Sequence, residues 1–173
     1  MAHPEHLERL HAGVDVWNRW RHQNRHLRPN LRAANLEGAD LAGFDLGAVY
    51  LSRANLSHAY LFEATLKDTN LQGANLSHCC LIATNLERAY FSGANLYHAY
   101  LSRANLTAAY FGHANLAKAT LAHSVVDQAY FGQADVTETD FSGVENLAPV
   151  QLRLARNFER AILSREETVE QAH

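Results

Sequence analysis

The chain has 173 residues, with 15 Lys and Arg residues, 18 Asp and Glu residues and a formal net charge of −3 at pH 7. This balance does not favour direct nucleic-acid binding, which needs a basic face, and no apolar run reaches the about 18 residues of a membrane span. Adjacent Cys79 and Cys80 indicate no structural disulfide, and the N-terminus lacks the build of a signal peptide, so a cytoplasmic protein is expected.

Residues 1–30 are predicted to form a lead-in that contains one amphipathic helix from residue 4 to about residue 24. Pro4 suits a first helical turn. Apolar side chains recur at the spacing of one helical face, at Leu7, Leu10, Val14 and Trp17. A stacked structure exposes unpaired backbone groups at its first coil, and a helix across that end would cover them. We therefore expect a cap, with a partner-docking helix as the alternative.

From residue 31 to residue 141, every fifth residue is large and apolar, and these 23 positions are all Leu, Phe or Val. Two residues before each stands a small residue, most often Ala. A period of five fits neither a helix nor a flat strand. It fits short extended steps that turn a corner and stack on the coils above and below. The pattern therefore predicts an all-β solenoid with the large residues inside.

Columns of like residues indicate how many residues make one coil. The position before the large residue repeats at a spacing of 20, at Asn35, Asn55, Asn75, Asn95, Asn115 and Asp135. A spacing of 15 breaks this column, so we predict four units per coil, four sides and about six coils. The expected core ladder on one side consists of Leu36, Leu56, Leu76, Leu96 and Leu116.

The units Ala34-Asn35-Leu36-Glu37-Gly38 and Ala104-Asn105-Leu106-Thr107 resemble the pentapeptide-repeat family, whose unit is A(D/N)LXX. The resemblance covers about two-thirds of the chain. It implies a right-handed quadrilateral β-helix, whereas the N-terminal capping helix and the C-terminal helix are predicted from the residues themselves. It also implies a functional hypothesis, because the best-understood members resemble double-stranded DNA and bind DNA gyrase.

Residues 142–173 are predicted to leave the repeat, because Asn146 stands where the next large apolar residue would fall. A helix is predicted from Pro149 to about residue 164. Its apolar stripe comprises Val150, Leu154, Phe158 and Ile162. This C-terminal helix is expected to cap the other end of the solenoid or to form a homodimer with its copy. The polar tail from Glu166 to His173 is expected to fray.

Two aromatic features are candidate interaction surfaces. The tyrosine columns comprise Tyr50, Tyr90, Tyr110 and Tyr130 on one face, and Tyr60 and Tyr100 half a coil away. Flat amphipathic rings suit a protein interface, although stacked like residues also stabilise neighbouring coils. A histidine column comprises His58, His78 and His98. It could bind a metal or respond to pH, but its neighbours in the column are Gly38 and Lys118 and two adjacent histidines rarely complete a four-ligand site, so we expect a solvated ladder.

No group of residue types indicates catalysis: no serine, histidine and carboxylate converge, and neither a phosphate-binding glycine loop nor a zinc spacing is present. We predict no catalytic residue, cofactor or metal. The expected function is a non-catalytic structural or interaction module that docks an unidentified protein partner. The alternative is a DNA-mimicking modulator of DNA gyrase or another type II topoisomerase. Such mimicry needs a dense acidic stripe, which Arg53, Lys67, Arg88, Arg103 and Lys118 interrupt.

Overall fold

The computed structural model describes residues 1–164. Two helices, α1 (Pro4–His11) and α2 (Val14–Gln23), precede a stack of coils. Helix α3 (Pro149–Arg153) and a 3-10 helix (Phe158–Arg160) follow it. The predicted polar tail, Glu166 to His173, lies outside the described residues.

In the part of the chain that the structure describes, no helix has both the length and the apolar character needed to cross a membrane.

Parallel backbone bridges join residues that are 20 apart, from Asn30 with Tyr50 to Val125 with Glu145. Each coil therefore holds four pentapeptides, which agrees with the spacing of the asparagine column. Every bridge involves a single residue on each coil, and none of the described residues forms a longer strand. The expected β-helix is thus built from isolated bridges, because a turn follows each bridging residue before a second bridge can form.

A hydrogen-bonded turn closes each pentapeptide. At one corner the Leu56 carbonyl accepts the Ala59 N–H at 3.0 Å, and His58 between them has a φ of 60°. This left-handed backbone is unfavourable for residues other than glycine. Here the His58 N–H donates to the Ser77 carbonyl of the next coil at 3.0 Å. Pairing between coils therefore holds a conformation that the local sequence disfavours.

The inward side chains form one continuous core. Leu56, Leu96 and the other large residues of their ladder are fully buried, and Leu36 on the first coil is 3% exposed. On another side, the rings of Phe91, Phe111 and Phe131 stack with centroids 4.7 and 5.2 Å apart. Three threonines at the small inward position donate to carbonyl oxygens one coil earlier, at Thr69, Thr84 and Thr139.

The N-terminal region differs from the single predicted helix. The helix is interrupted at Gly13, whose φ of 100° is readily adopted by glycine. Helix α2 lies against the first coil, where buried Trp17 donates from Nε1 to the Asp45 carbonyl at 2.7 Å. The Asp45 N–H donates to Asn18 Oδ1 at 2.8 Å, and Arg21 Nη2 donates to the Gly47 carbonyl at 2.7 Å. Side chains of α2 thus pair backbone groups that have no preceding coil.

The C-terminal region also differs from prediction, because α3 ends at Arg153 and not near residue 164. Backbone pairing continues beyond Phe141, with bridges from Asp135 to Arg156 and from Asp140 to Ile162. The open edge of the last coil therefore competes with the helix for these backbone groups. Within α3, Gln151 Nε2 donates to the Val126 and Ala129 carbonyls at 2.9 and 2.7 Å.

Candidate interaction surfaces

Stacking of residues 20 apart gives the solenoid four sides, each defined by the pentapeptides that compose it. The tyrosine face comprises the pentapeptides that begin at residues 30, 50, 70, 90, 110 and 130. The asparagine face comprises those that begin at residues 35, 55, 75, 95, 115 and 135. The apolar face comprises the pentapeptides that begin at residues 40, 60, 80, 100, 120 and 140. The charged face comprises those that begin at residues 45, 65, 85, 105 and 125.

The tyrosine face carries a stack of three rings. The centroids of Tyr90 and Tyr110 lie 4.9 Å apart and those of Tyr110 and Tyr130 lie 4.8 Å apart, with interplanar angles of 16° and 13°. Buried Gly112 and Gly132 each follow a tyrosine by two residues, and a Cβ on either would collide with that tyrosine's ring. The rings therefore fold across glycine backbone. Sequence reasoning missed these glycines, although their fixed offset from tyrosine was visible.

Tyr50 lies on the same face but outside the stack, because Asn70 intervenes. The Arg32 guanidinium carbon lies 4.0 Å from the centroid of the Tyr50 ring, a cation–π contact. A groove of about 590 Å³ runs alongside; its polar lining is Arg32, Ser52, Arg53, Gln72, Ser92 and His113. Among residues 1–164, neither Arg32 nor Arg53 takes part in an ion pair.

The tyrosine face also differs from the other sides in charge. None of its six pentapeptides contains Asp or Glu, and all the acidic residues between residues 31 and 141 lie on the other three faces. In a chain with a net charge of −3, this side combines stacked aromatic rings with unpaired cations. The arginines suit an acidic partner, because they can pair with its carboxylates and no carboxylate of this face competes for them.

The asparagine face carries the histidine column at its corner. His58 and His78 stack with centroids 5.0 Å apart, and His78 and His98 with centroids 5.3 Å apart. Tyr97 packs edge-on against His98 at 4.5 Å, and Lys118 follows on the next coil. Across residues 1–164, no group of three or more His, Cys, Asp or Glu side chains is arranged to hold a metal.

The apolar face carries Tyr60 and Tyr100, which are 46% and 49% exposed and do not meet, because Cys80 lies between them. The sequence analysis missed Phe62 and Ile82, which are partly exposed on the same face. The Phe62 ring lies 6.1 Å from that of Tyr60. These side chains follow large inward residues, where the repeat places no fixed residue type, so the patch becomes visible only when the coils are stacked.

The adjacent cysteines have different environments. Cys79 occupies a small inward position and is fully buried, and burial raises the pKa of its thiol. Cys80 is partly exposed on the apolar face. Neither cysteine is in a disulfide. Cys80 is therefore the accessible thiol of the pair.

The charged face holds a cluster of ion pairs between two coils. Lys67 Nζ lies 2.8 Å from Glu87 Oε2, and Arg88 Nε and Nη2 donate to Asp68 at 2.7 and 3.0 Å. The Arg88 hydrogen bonds and charge lower the pKa of Asp68, and Lys67 lowers the pKa of Glu87 in the same way. These carboxylates are therefore paired with cations and do not form an uninterrupted acidic row.

Between residues 142 and 164, three large apolar side chains are exposed. Val150, Leu154 and Ile162 are 61%, 51% and 51% exposed. They do not form the helical stripe predicted from the sequence, because α3 ends before Leu154 and Ile162 lies beyond the 3-10 helix.

Sequence comparison gives a match to one protein family. The family described as Pentapeptide repeats (8 copies) matches residues 30–68, 69–107 and 104–143. No curated protein matches the chain.

Several solved structures are similar to the chain. HetL, from the cyanobacterium Nostoc sp. strain PCC 7120, is a pentapeptide repeat protein involved in heterocyst differentiation regulation. It is 28% identical over 72% of this chain and 61% of HetL, with a TM-score of 0.30. Rfr23 from the cyanobacterium Cyanothece 51142 is 25% identical over 85% of this chain and 97% of Rfr23, with a TM-score of 0.41. QnrB1, a plasmid-mediated fluoroquinolone resistance protein, is 16% identical over 83% of this chain and 92% of QnrB1, with a TM-score of 0.37.

Proposed function

The chain belongs to the pentapeptide-repeat family, and we propose that it is a non-catalytic interaction module whose tyrosine face binds an acidic segment of a partner protein. The observation that carries this proposal is the composition of that face. It presents Tyr50, the stack from Tyr90 to Tyr130, and Arg32 and Arg53, which form no ion pair among residues 1–164, with no carboxylate in its six pentapeptides.

The geometry supports a docking surface better than a catalytic site. Tyr90 and Tyr130 keep 39% and 40% of their surface exposed although their rings are held in a stack. Rings that are already ordered lose little conformational freedom on binding. Arg53, on the same face two coils before Tyr90, can pair with a carboxylate, and desolvation at a contact strengthens such a pair.

The test measures binding of a defined probe, a poly-glutamate peptide, by isothermal titration calorimetry. We expect binding that weakens with rising salt, because the Arg contacts are screened, and no binding of a poly-lysine peptide of the same length. Arg53→Glu should weaken poly-glutamate binding about tenfold or more. Lys118→Glu, the same charge change on the asparagine face, should leave the affinity within about twofold. Absence of poly-glutamate binding, or equal losses in both variants, would overturn the proposal.

The same variants identify the natural partner. Proteins captured from an extract of the source cells by the unaltered chain, but not by the Arg53→Glu variant, are candidate ligands of the tyrosine face. Those captured equally by both bind elsewhere. We propose that the protein is cytoplasmic, because the chain carries two free cysteines, one of them accessible. The extract should therefore be a cytoplasmic one.

We also infer the finer architecture from the family. The coils form a right-handed, four-sided β-helix of about six coils, with α1 and α2 capping one end and the C-terminal segment capping the other. The hydrogen bonds from Trp17, Asn18 and Arg21 to the first coil support the N-terminal cap. Those from Gln151 to the last complete coil support the C-terminal one.

A homodimer through the C-terminal helix stays a proposal. Exposed Val150 and Leu154 support it, whereas the end of α3 at Arg153 leaves less helical surface than the sequence predicted. Leu154→Glu should return such a dimer to monomers in sedimentation analysis. A Leu154→Glu variant that associates as strongly as the unaltered chain would exclude the contact.

The hypothesis of a DNA-mimicking modulator of gyrase has less support from the geometry. Mimicry requires exposed carboxylates in a row, and Asp68 and Glu87 are paired with Arg88 and Lys67. We expect no inhibition or protection of gyrase in a supercoiling assay at a large molar excess of the protein. A clear effect at that excess would favour the mimic over the docking module.

A further inference from the structure

The apolar face has a symmetric arrangement of side chains about its third coil. Along one column, Tyr60 and Tyr100 lie one coil on either side of Cys80. Along the corner column, Glu63 and Arg103 lie one coil on either side of Ala83. Adjacent coils are separated by about 4.8 Å, so Glu63 and Arg103 are about 10 Å apart along the solenoid. Tyr60 and Tyr100 are therefore symmetric about one row, and Glu63 and Arg103 carry opposite charges about the same row.

We propose that the apolar face binds the apolar face of a second copy of this chain, with the two solenoids antiparallel and the two-fold axis along the row from Cys80 to Ala83. An axis in this direction keeps each residue in its column and exchanges the coils on either side. Glu63 of each protomer then faces Arg103 of the other, and Tyr60 faces Tyr100. Phe62 faces the small Ser102.

In a two-fold contact, each residue on the axis contacts its own copy, so these residues must tolerate self-contact. Here they are Cys80, Ile82 and Ala83, which are uncharged and compatible with self-contact. In the outer rows, Asp40 faces Thr120, Ala42 faces Ala122 and Gly43 faces His123, so no like charges meet. An equivalent contact on the charged face would place Glu87 against Glu87 and Arg88 against Arg88. Charge complementarity therefore distinguishes the apolar face from the charged one.

This contact goes beyond the proposed function and uses the opposite side of the solenoid. The apolar and tyrosine faces are ten residues apart in a coil of 20, that is, half a coil. The dimer would present its two tyrosine faces outward. Two outward faces allow bivalent capture of a partner that carries two acidic segments.

The size of the patch sets the expected strength. Its exposed aromatic and aliphatic side chains lie on three coils, about 15 Å along the solenoid. The patch is therefore smaller than the roughly 800 Å² per partner of a standard stable interface. We therefore expect reversible, concentration-dependent association. Sedimentation velocity of the full chain from about 10 µM to about 1 mM should show a transition from a 19.3 kDa monomer to a dimer.

Charge reversal provides the decisive test. Glu63→Arg and Arg103→Glu should each weaken dimerisation about tenfold or more, because each creates like charges that face one another twice. The double variant Glu63→Arg/Arg103→Glu should restore the affinity of the unaltered chain. Circular dichroism of every variant verifies the fold, and Lys118→Glu provides a matched control that should not change dimerisation. A monomer at all concentrations, or single variants that dimerise normally, would overturn the proposal.

Cys80 offers an independent measurement of the geometry. Packed sheets lie about 10 Å apart, beyond the roughly 7 Å between Cα atoms that a disulfide can bridge. A short bismaleimide should therefore link two chains through Cys80. Cys80→Ser should abolish the crosslinked dimer, whereas Cys79→Ser should retain it, because Cys79 is buried. Failure of the reagent to link dimers of the unaltered chain would exclude an axis through Cys80.

The dimer and the binding of poly-glutamate can be tested separately, because different residues carry them. Loss of the dimer in Glu63→Arg should leave poly-glutamate binding by the tyrosine face unchanged. Loss of poly-glutamate binding in Arg53→Glu should leave the dimer unchanged.

Discussion

The side chain of Asn95 donates from Nδ2 to Oδ1 of Asn75, 20 residues earlier, at 3.2 Å. The same bond repeats from Asn55 to Asn115, so a ladder of amides runs along the asparagine face. Each Oδ1 also accepts a backbone N–H two residues later, as Asn95 does from Tyr97 at 3.2 Å. One side chain thus stabilises both its own turn and the stacking of the neighbouring coils.

Replacing Asn95 with Ala should remove its amide bonds to Asn75 and Asn115 together with its turn bond. At about 0.5–1.5 kcal/mol for each bond, we expect the free energy of unfolding to fall by about 2–4 kcal/mol. Asn85→Ala is the matched control, because Asn85 accepts the Glu87 N–H in the same turn and, within residues 1–164, makes no amide bond to the next coil. Equal losses in urea titrations of the two variants would exclude a stabilising ladder.

The core should respond much more strongly than the outer surface. Leu96 is fully buried in mid-shaft, and Leu96→Ala should lower the free energy of unfolding by about 2–5 kcal/mol through lost burial and a cavity. Ser102 is partly exposed and makes one long contact, 3.4 Å, with the Thr120 hydroxyl. Ser102→Ala should therefore cost less than about 0.5 kcal/mol. Comparable losses in denaturant titrations would contradict the inward and outward assignment.

The shaft was predictable from the sequence because one physical requirement repeats in every unit. Each coil must bury a large residue and a small one, so Leu56, Leu76 and Leu96 appear at a fixed interval and reveal the coil length. Side chains that stack to form hydrogen bonds, such as Asn75 and Asn95, repeat for the same reason. Periodicity reports interactions that recur, and the family match confirms that the sequence consists of pentapeptide repeats.

The ends and the exposed patches were harder to predict because their interactions occur once. The stripe from Val150 to Ile162 is typical of a helix, yet the Arg156 N–H donates to the Ala134 carbonyl at 2.8 Å. The unpaired edge of the last coil determines that choice, and no local pattern encodes it. Phe62 and Ile82 likewise belong to no column of like residues, so their proximity follows only from the stacked coils.

Removing Trp17 tests the proposed N-terminal cap. Trp17 is fully buried and donates to the Asp45 carbonyl at 2.7 Å, so Trp17→Ala should cost about 3–5 kcal/mol. The uncovered first coil should also template end-to-end association, seen as increased light scattering at concentrations where the unaltered chain does not scatter. Val16→Ala, which alters an exposed residue of the same helix, is the control. A stable, non-associating Trp17→Ala variant would contradict the capping role.

One buried hydroxyl should be dispensable. Ser124 is fully buried, and its Oγ has no hydrogen-bond partner among residues 1–164. Ser124→Ala should raise the free energy of unfolding by about 1 kcal/mol, because it removes an unsatisfied polar group. Thr84 occupies the same kind of position but donates to the Leu61 carbonyl at 2.8 Å. Thr84→Val should therefore destabilise by about 1 kcal/mol, and thermal unfolding that shows the same sign for both would refute the distinction.

The cross-coil ion pair of Arg88 with Asp68 should make stability depend on pH in acid. Arg88 holds the pKa of Asp68 below its ordinary value. A lowered folded-state pKa adds stability that is fully present above the unfolded carboxyl pKa of about 3.9 and is lost as the pH falls through the folded value. The denaturant midpoint of Arg88→Ala should therefore lie below that of the unaltered chain at pH 7, and the difference should shrink below about pH 3. Because both side chains are about half exposed, added salt should also shrink the difference in denaturant midpoint at pH 7.

Lys118→Ala is the control. It removes an exposed cation that forms no ion pair among residues 1–164, so it should show no such pH dependence. A constant difference between pH 7 and pH 3 would show that Arg88 acts through packing and not through its charge.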